Sequence, residues 1–342
     1  MSENSYTFLI MLILSICFYI FMFIDVSRKG DSQMGYFLRR ALTSLLALWL
    51  IVTITFTIMH LIPGGPFASE KKLPDAILRN LEQRYHLNDP LYKQYAGYLI
   101  NLLQGDLGPS FKYENRTVNS IIREGFPVSA ALGSLAIVLS LSAGILAGTV
   151  SALRQKRWQD YTVMTMATFG FSIPSFILAG LLMYVFAYKL RVLPSALWGA
   201  WQQAVLPTLA LAALPTAFIA RLVRSSMLEV LRLDYIRTAR AKGLSESNII
   251  LRHALPNAIL PVVTYSGPLI AAILTGSFVV EFIFAIPGLG RWFVQSITNR
   301  DYTVILGVTI FYSAFLMLMN LIVDLIYIAI DPRIKLFDSK EV

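Results

Sequence analysis

The side chains that could ligate a metal or attack a substrate are few and scattered in this 342-residue chain. Cys17 is the only cysteine, so the chain alone forms neither a disulfide nor a thiolate cluster. The histidines, at positions 60, 86 and 253, lack the spacing of metal ligands. Asp106, in QGDLG, is the only hint of an aspartyl motif, and no glycine-rich loop ends in Lys-Ser or Lys-Thr. The sequence predicts no catalytic residue, metal site or cofactor site.

Cationic side chains indicate a different kind of site, in a stretch that we call the basic loop, residues 224–256. It includes YIRTARAKGLSESNIILRHALP. Gly243 is well placed to end a helix in the left-handed conformation. Ser245 or Ser247 can then cap a second short helix, and Pro256 marks the return to an apolar run. The pattern predicts a helix, a tight turn and another helix.

Two roles fit the basic loop from its residues alone. The small side chains of Thr238, Ala239 and Ala241 would let another protein surface approach the first helix closely. Alternatively, the loop is an amphipathic helix at the membrane surface, which its arginines anchor to anionic lipid. The residue types leave both roles open.

The rest of the chain has the composition of a membrane protein. Hydrophobic residues make up 56% of it and charged residues only 14%. The first apolar run is predicted to be a retained helix and not a signal peptide, because acidic Glu3 precedes it and no small-residue cleavage site follows. Runs long enough to cross the hydrocarbon layer predict seven membrane helices, at about 6–25, 41–62, 128–152, 161–188, 205–223, 257–280 and 303–330.

Lys and Arg residues predict the orientation of these helices, because they concentrate in loops that face the cytoplasm. Segments 27–40, 153–159, 221–252 and 331–342 contain 4, 3, 7 and 3 of them, and the alternate short segments contain 2 each. The basic loop and the C-terminus are therefore predicted to be cytoplasmic, and the N-terminus and segment 63–127 external. This placement argues against nucleic acid as the reason for the net charge of +9.

A shorter amphipathic helix is predicted in the external segment. Asp89 supplies the N-cap and Pro90 the first helical position. Leucines and tyrosines follow at helical spacing from Leu91 to Leu103, and Gly105 can end the helix. Packing on its own chain and packing on a partner both remain open.

The inner membrane runs contain helix breakers but almost no ionisable side chains. Stretches 128–152, 161–188, 205–220, 257–280 and 303–323 hold no Asp, Glu, Lys, Arg or His, which disfavours an ion-coupled transporter and an intramembrane protease. Helix breakers disturb backbone hydrogen bonds, as happens along translocation pathways and at ordinary packing kinks. The candidate pathway kinks are Pro174, Pro215, Gly267 and Pro268.

The basic loop resembles the cytoplasmic loop of ABC-importer permeases. That loop reads Glu-Ala-Ala, three residues, Gly, nine residues, Ile, one residue, Leu-Pro. The corresponding places are taken here by Arg237-Thr238-Ala239, Gly243 and Leu255-Pro256. Arg237 replaces the family's Glu and His253 its Ile, and both replacements are usual in the peptide-importer branch.

Other segments look like the oligopeptide permease B family over about residues 36–336. They are LIPGGPF at 61–67, YHLNDP at 85–90, GDLGPSFKYENRTVN at 105–119, FPVSAALG at 126–133, EFIFAIPGLGRWF at 281–293 and NRDYTVILG at 299–307. The helix predicted at 6–25 is a departure from the family, whose members typically begin near residue 36.

The resemblance implies an all-α polytopic membrane protein with the type I ABC-importer transmembrane fold, six core helices and one extra N-terminal helix. Residues 1–35 would hold the extra helix and a cytoplasmic linker, and 36–62 the first core helix. Residues 63–127 would be extracytoplasmic. The transmembrane domain would occupy 128–330, with the basic loop as its coupling loop, and 331–342 would form a cytoplasmic tail.

The resemblance also implies a function as the permease subunit of an ATP-driven importer of oligopeptides. An extracytoplasmic binding protein would deliver the peptide, a second homologous permease would complete the pathway, and two cytoplasmic ATPases would hold ATP and Mg. The chain would lie in the bacterial inner membrane and would not itself be an enzyme. Dipeptides, glutathione or nickel chelates are alternative substrates, and a non-translocating scaffold or receptor subunit is an alternative role.

Under this resemblance the basic loop would dock on one ATPase. Small side chains would allow close approach, Gly243 would make the turn, and arginines could pair with acids on the ATPase. The residues implied in docking are Arg237, Thr238, Ala239, Arg240, Ala241, Gly243, Leu244, Leu255 and Pro256.

Overall fold

The computed structural model describes residues 33–61, 88–274 and 276–330, and this part of the chain is helical. The helices are α1 Gln33–Leu61, α2 Leu91–Leu103, α3 Val118–Leu153, α4 Trp158–Ser172, α5 Ser175–Leu182, α6 Trp201–Val230, α7 Asp234–Ala241, α8 Glu246–Asn248, α9 Leu255–Ala258, α10 Leu260–Leu274, α11 Phe278–Ile283, α12 Leu289–Asn299 and α13 Tyr302–Ile330. π-helical turns follow α5, at Met183–Lys189, and α8, at Ile249–Ala254. The predicted helix at 6–25 and tail at 331–342 lie outside the described residues.

Within the described residues, five segments are long and apolar enough to cross a membrane. A sixth span forms if α4 and α5 with its π-helical turn count as one broken helix. These six correspond to the predicted runs from 41–62 onward, so the all-α membrane architecture is confirmed for them. The five segments other than the bent pair are Arg39–Leu61, Val118–Leu153, Trp201–Val230, Leu260–Ile283 and Tyr302–Ile322.

The predicted run at 161–188 is a bent pair of helices rather than one straight helix. α4 and the helix that begins at Ser175 are bent by 109°. Proline disfavours the helical conformation of the residue before it, and Ile173 is extended, with φ −93° and ψ 119°. Pro174 then caps α5, where no intrahelical N–H bond is needed. By contrast, α6 continues through Pro215, as α10 does through Pro268.

The chain divides into two compact units, one of Met1–Gly65 with Thr309–Val342 and the other of Pro66–Val308. The first contains α1 and most of α13, and the second contains the helices from α2 to α12. The principal core of the second unit lies along α3 and α6 and extends to the basic loop and α10. This unit therefore holds every predicted site residue.

Glycines let α3 and α6 pack backbone against backbone. A Cβ atom built on Gly148 would lie 2.5 Å from the carbonyl oxygen of Ala220, and one built on Gly144 would lie 2.7 Å from Cγ2 of Ile219. The two glycines are four residues apart, which is the spacing by which membrane helices approach closely. Because apolar side chains gain little by leaving lipid for a neighbouring helix, close packing carries much of the attraction between α3 and α6.

The length of α6 separates the two ends of the second unit. Its 30 residues span about 45 Å at about 1.5 Å per residue, more than the hydrocarbon thickness of roughly 30 Å. The basic loop begins in the last two turns of α6. The segment before its first turn is joined to the region after α11, because the N–H of Leu197 donates to the carbonyl oxygen of Phe284 at 2.8 Å. The basic loop and the α11–α12 region therefore lie at opposite ends of α6.

Candidate functional site

The basic loop turns at Gly243, immediately after α7. The φ of Gly243 is +77°, in the left-handed region. Its N–H donates to the carbonyl oxygen of Arg240 at 2.9 Å, and the N–H of Leu244 donates to that of Ala239 at 3.3 Å. These two bonds form a Schellman motif, which satisfies carbonyl groups of the last turn of α7. The predicted left-handed ending of this helix is confirmed.

The second half of the basic loop consists of the short helix α8, a π-helical turn and the start of α9. Ser245 caps α8 as predicted, its Oγ accepting from the N–H of Asn248 at 3.4 Å. The π-helical turn that follows was not predicted from the sequence. Leu255 then packs half-buried against the core at the start of α9, while Pro256, in the first turn, is exposed.

The two faces of α7 have different surroundings. Ile236 and Ala239 are buried, in a cluster that includes Val223 and Met227 of α6 and Ile249 of the π-helical turn. Ala239 is only 8% exposed, so its small side chain serves packing within the chain, unlike the exposed role that the resemblance implied. The exposed residues of α7 and the turn are Asp234, Tyr235, Arg237, Thr238, Arg240, Ala241, Lys242, Gly243 and Leu244.

The two arginines of the predicted docking set already have acidic partners within the basic loop. Arg237 pairs with Asp234 at 3.2 Å. Arg240 donates twice to Glu246 across the turn, at 2.8 and 3.3 Å, and this hydrogen bonding holds the pKa of the Glu246 carboxyl below its usual value. Both pairs are exposed, and exposed pairs contribute little to stability, so another acid could replace either partner.

Three further cations of the basic loop are exposed and form no ion pair with any residue that the structure describes. They are Arg232, Lys242 and Arg252. A partner surface that carries acids could therefore bind these three without breaking an existing bond. For the predicted pairing with a partner's acids, Arg232 and Arg252 are therefore better candidates than the arginines of α7, which already have acidic partners.

A polar contact that the sequence did not reveal joins the two halves of the basic loop. The hydroxyl of Tyr235 donates to the carbonyl oxygen of His253 at 3.3 Å. Asn257 donates through Nδ2 to the Tyr235 hydroxyl at 3.0 Å and to the same carbonyl at 2.8 Å. The start of α7 is thereby fixed to α9, and the loop is held at both ends.

A largely buried ion pair, also missed by sequence reasoning, joins the first residue of the basic loop to α4. Arg224 donates through Nε and Nη2 to the two oxygens of Asp160, at 2.7 and 2.9 Å. The Ser151 hydroxyl and the Lys156 N–H also donate to Asp160, at 2.5 and 2.9 Å. We call these four residues the clasp. The sequence feature that could have revealed this pair is Asp160 itself, a lone acid between the cationic segment 153–159 and an apolar run.

The opposite end of the second unit brings together two motifs that are distant in sequence. Ser110 Oγ donates to Asp301, and the Phe111 N–H donates to the same carboxylate at 3.1 Å. Thr303 donates to the carbonyl oxygen of Pro109 at 2.6 Å. Burial lowers the pKa of the neighbouring Lys112, although Asp301 opposes this shift. Motifs 105–119 and 299–307 therefore lie side by side.

A buried carboxylate organises the motif EFIFAIPGLGRWF at this same end. Glu281 is 0% exposed, and its Oε2 accepts from the N–H of Gly290 at 2.8 Å, in the first turn of α12. Ser129 of α3 accepts from the neighbouring N–H of Leu289 at 2.9 Å. These two side chains satisfy amide groups that the start of a helix leaves without partners. Glu281 thus closes the turn between α11 and α12.

The candidate pathway residues differ in their surroundings. Pro215 and Gly267 are buried within the chain, whereas Pro174 and Pro268 are exposed. Of the four, Pro174 alone stands at a break between helices. Among the four candidates, Pro174 is therefore the position at which the chain changes direction, by 109°.

The described residues contain no group of three side chains that could ligate a metal ion. The geometry offers a mechanical arrangement instead. An exposed turn with free cations rests on a buried apolar face, and that face is continuous with the ends of two long apolar helices. A displacement imposed on the basic loop would therefore reach α3 and α6 through packed side chains.

Two family models match the chain. The model for the inner membrane component of binding-protein-dependent transport systems matches residues 144–336, and that for the N-terminal part of such membrane components matches 33–133. The dipeptide transport system permease protein DppB of Bacillus subtilis is 51% identical, over 88% of this chain and 98% of its own length. The oligopeptide transport system permease protein OppB of Salmonella typhimurium is 48% identical, over 89% and 100%.

A solved structure has a similar fold. An inward-facing structure of the MetNI methionine ABC transporter covers 62% of this chain and 96% of the matched chain, with a TM-score of 0.52 and 21% identity. The predicted type I ABC-importer transmembrane fold is thereby confirmed.

Proposed function

Because this chain belongs to the family of inner membrane components of binding-protein-dependent transport systems, we propose that it is the permease subunit of an ATP-driven importer of short peptides. The observation that carries this proposal is the similarity to complete relatives. The dipeptide and oligopeptide permeases are 51% and 48% identical to the chain over 98% and 100% of their lengths.

The substrate class follows from those relatives and from the low charge of the inner helices. A fixed charge in the pathway would select among peptide side chains, whereas apolar helices accept varied ones. Selection among peptides would then rest mainly with the binding protein. The two relatives favour dipeptides and oligopeptides over glutathione or nickel chelates.

The basic loop is proposed to dock on one partner ATPase through its exposed face. Thr238 and Ala241 are small enough for close approach, and the turn at Gly243 would protrude toward the partner. Arg232, Lys242 and Arg252 would bind acids there. Ala239 and Leu255 would support this surface from behind, because they pack on the helical core.

The rest of the assembly is proposed by family analogy. A second permease would complete the pathway, a binding protein would deliver peptide at the external face, and two ATPases would bind ATP with Mg. In the bacterial inner membrane the basic loop and the C-terminus would face the cytoplasm and the N-terminus the exterior, as the Lys and Arg distribution predicts. The role of 63–127 as the external segment and of 128–330 as the transmembrane domain belongs to the same proposal.

ATP would act through the docked loop. Binding of ATP would draw the two ATPases together and displace the basic loop, whose buried face would carry α3 and α6 with it. The pathway would then open alternately to the two sides of the membrane. ATP shifts this equilibrium only as far as its affinity differs between the two states.

Co-purification tests the docking. A tagged form of this chain, expressed with the second permease and both ATPases, should retain the ATPases in detergent, and peptide-loaded binding protein should stimulate ATP hydrolysis. A non-translocating scaffold would show no stimulation. Ala241→Arg should reduce retention by about tenfold, a change of about 1.4 kcal/mol in binding, because it places bulk and charge on the docking face.

The matched control is Ala96→Arg, which changes an equally exposed alanine on α2 in the predicted external segment. It should leave ATPase retention unchanged. Equal retention by the two variants would contradict docking through the basic loop.

A further inference from the structure

We propose that the clasp transmits displacement of the basic loop to α4, and through α4 to the bend at Pro174. Asp160 and Arg224 are thereby positioning residues for transport. This inference rests on the proposed function, because it assumes that a partner ATPase moves the basic loop.

Arg224 lies in the last two turns of α6 and is the first residue of the basic loop. Its neighbours Val223 and Met227 share a buried cluster with Ile236 and Ile249 of the loop. A displacement of the loop therefore reaches Arg224 through direct packing.

Three helices and one connecting turn meet at the carboxylate of Asp160. Asp160 lies in the first turn of α4 and accepts two bonds from α6, one from Ser151 near the end of α3 and one from the backbone of Lys156 in the connecting turn. The backbone of Lys156 has φ +62°, a conformation that few side chains favour, so this bond also stabilises the turn. The clasp thus fixes the relative positions of α3, α4 and α6.

Few residues of α4 are buried within the chain. Asp160 and Ala167 are the only ones among its 15. Contacts in the second half of α4 also join it to α6: Arg221 donates to Thr168 at 2.8 Å and lies over the ring of Phe171, and Gly170 fits closely against Ala213. Since Asp160 is the one buried residue in the first two turns of α4, the clasp is the buried contact that holds these turns in position.

The bend at Pro174 directly follows α4. The chain bends by 109° at Pro174 between α4 and α5. Rotation of a rigid α4 about its contacts with α6 would swing the start of α5. The clasp is therefore placed to convert a displacement of the basic loop into a movement at this bend.

Charge-neutral variants test the clasp in proteoliposomes that hold this chain, its sister permease, two ATPases and the binding protein. Asp160→Asn and Arg224→Gln each remove one charge of the ion pair and keep a polar side chain at that position; Asn has the size of Asp, whereas Gln is shorter than Arg. We expect stimulated ATP hydrolysis to persist, and the number of radiolabelled trialanine molecules imported per ATP to fall about tenfold. The double variant should resemble either single variant, because the residues act as one unit.

The matched control is Glu124→Gln, which breaks the exposed pair with Arg116 and should leave the peptide-to-ATP ratio unchanged. An unchanged ratio in both single variants would overturn the inference. Loss of the protein from the membrane in all three clasp variants would also overturn it, because the pair would then serve folding alone. Failure of the proposed function is distinguishable, since the wild-type complex would then import no peptide.

Discussion

Gly243 is the residue on which the shape of the basic loop depends most directly. Its φ of +77° costs a residue with a side chain about 1–2 kcal/mol, and a β-branched residue is an outlier there. A Cβ atom would meet nothing within 4 Å, so the conformation alone requires glycine. We therefore expect Gly243→Val to lower peptide uptake about tenfold at unchanged membrane abundance.

Gly97→Val is the control for this variant. Gly97 lies in α2, also has open space around its Cβ position, and has a negative φ. Peptide uptake by the Gly97→Val variant, measured with the same radiolabelled peptide, should match uptake by the wild type. Wild-type uptake and normally stimulated ATP hydrolysis in Gly243→Val would refute the role of the turn.

Local backbone chemistry made some site residues predictable. Gly243 and Ser245 act within a few residues of their own positions, so their roles follow from the sequence around them. Ala239 and Asp160 depend on tertiary contacts instead. The sequence cannot say which face of α7 is buried, nor that Arg224 reaches a carboxylate 64 residues away. The burial of Ala239 and the contact of Asp160 with Arg224 were therefore not predicted.

Among the contacts between helices, the one between α3 and α6 tolerates a larger side chain least. A Cβ atom at Gly148 would lie 2.5 Å from a backbone oxygen, which cannot move aside as a flexible side chain would. Gly148→Ala should destabilise the protein by about 1–3 kcal/mol through overpacking. We expect a lower thermal transition of the detergent-purified protein and reduced membrane abundance.

Gly180→Ala provides the comparison, because nothing lies within 4 Å of a Cβ atom at Gly180 in α5. The thermal transition of this variant should equal or exceed that of the wild type, since alanine favours helix more than glycine does. If the two variants have the same thermal transition temperature, close packing at Gly148 does not hold α3 and α6 together.

Length and apolarity were sufficient to predict the membrane helices but not their shape. The six described runs were found because about 20 apolar residues are needed to cross the hydrocarbon. Pro174 was recognised as a helix breaker, yet its 109° bend depends on how the two helices pack. The π-helical turn at Ile249–Ala254 has no comparable signal in the sequence.

The orientation of the whole molecule is tested by labelling single cysteines. In a Cys17→Ser background, Lys93→Cys places a thiol on α2 and Lys242→Cys places one on the basic loop, both at exposed positions. An impermeant maleimide added outside intact cells should label position 93 and not position 242. After permeabilisation both should react. The opposite pattern of labelling would reverse the proposed topology.

At the scale of the assembly, the central claim is that ATP hydrolysed by partner subunits drives peptides past this chain. The direct measurement uses proteoliposomes that hold this chain, its sister permease, both ATPases and the binding protein, with radiolabelled alanine peptides of two to five residues. Import is predicted to require ATP on the side that carries the ATPases, and an uncoupler should leave it unchanged at constant ATP. Import driven by a proton or sodium gradient without nucleotide would contradict the account.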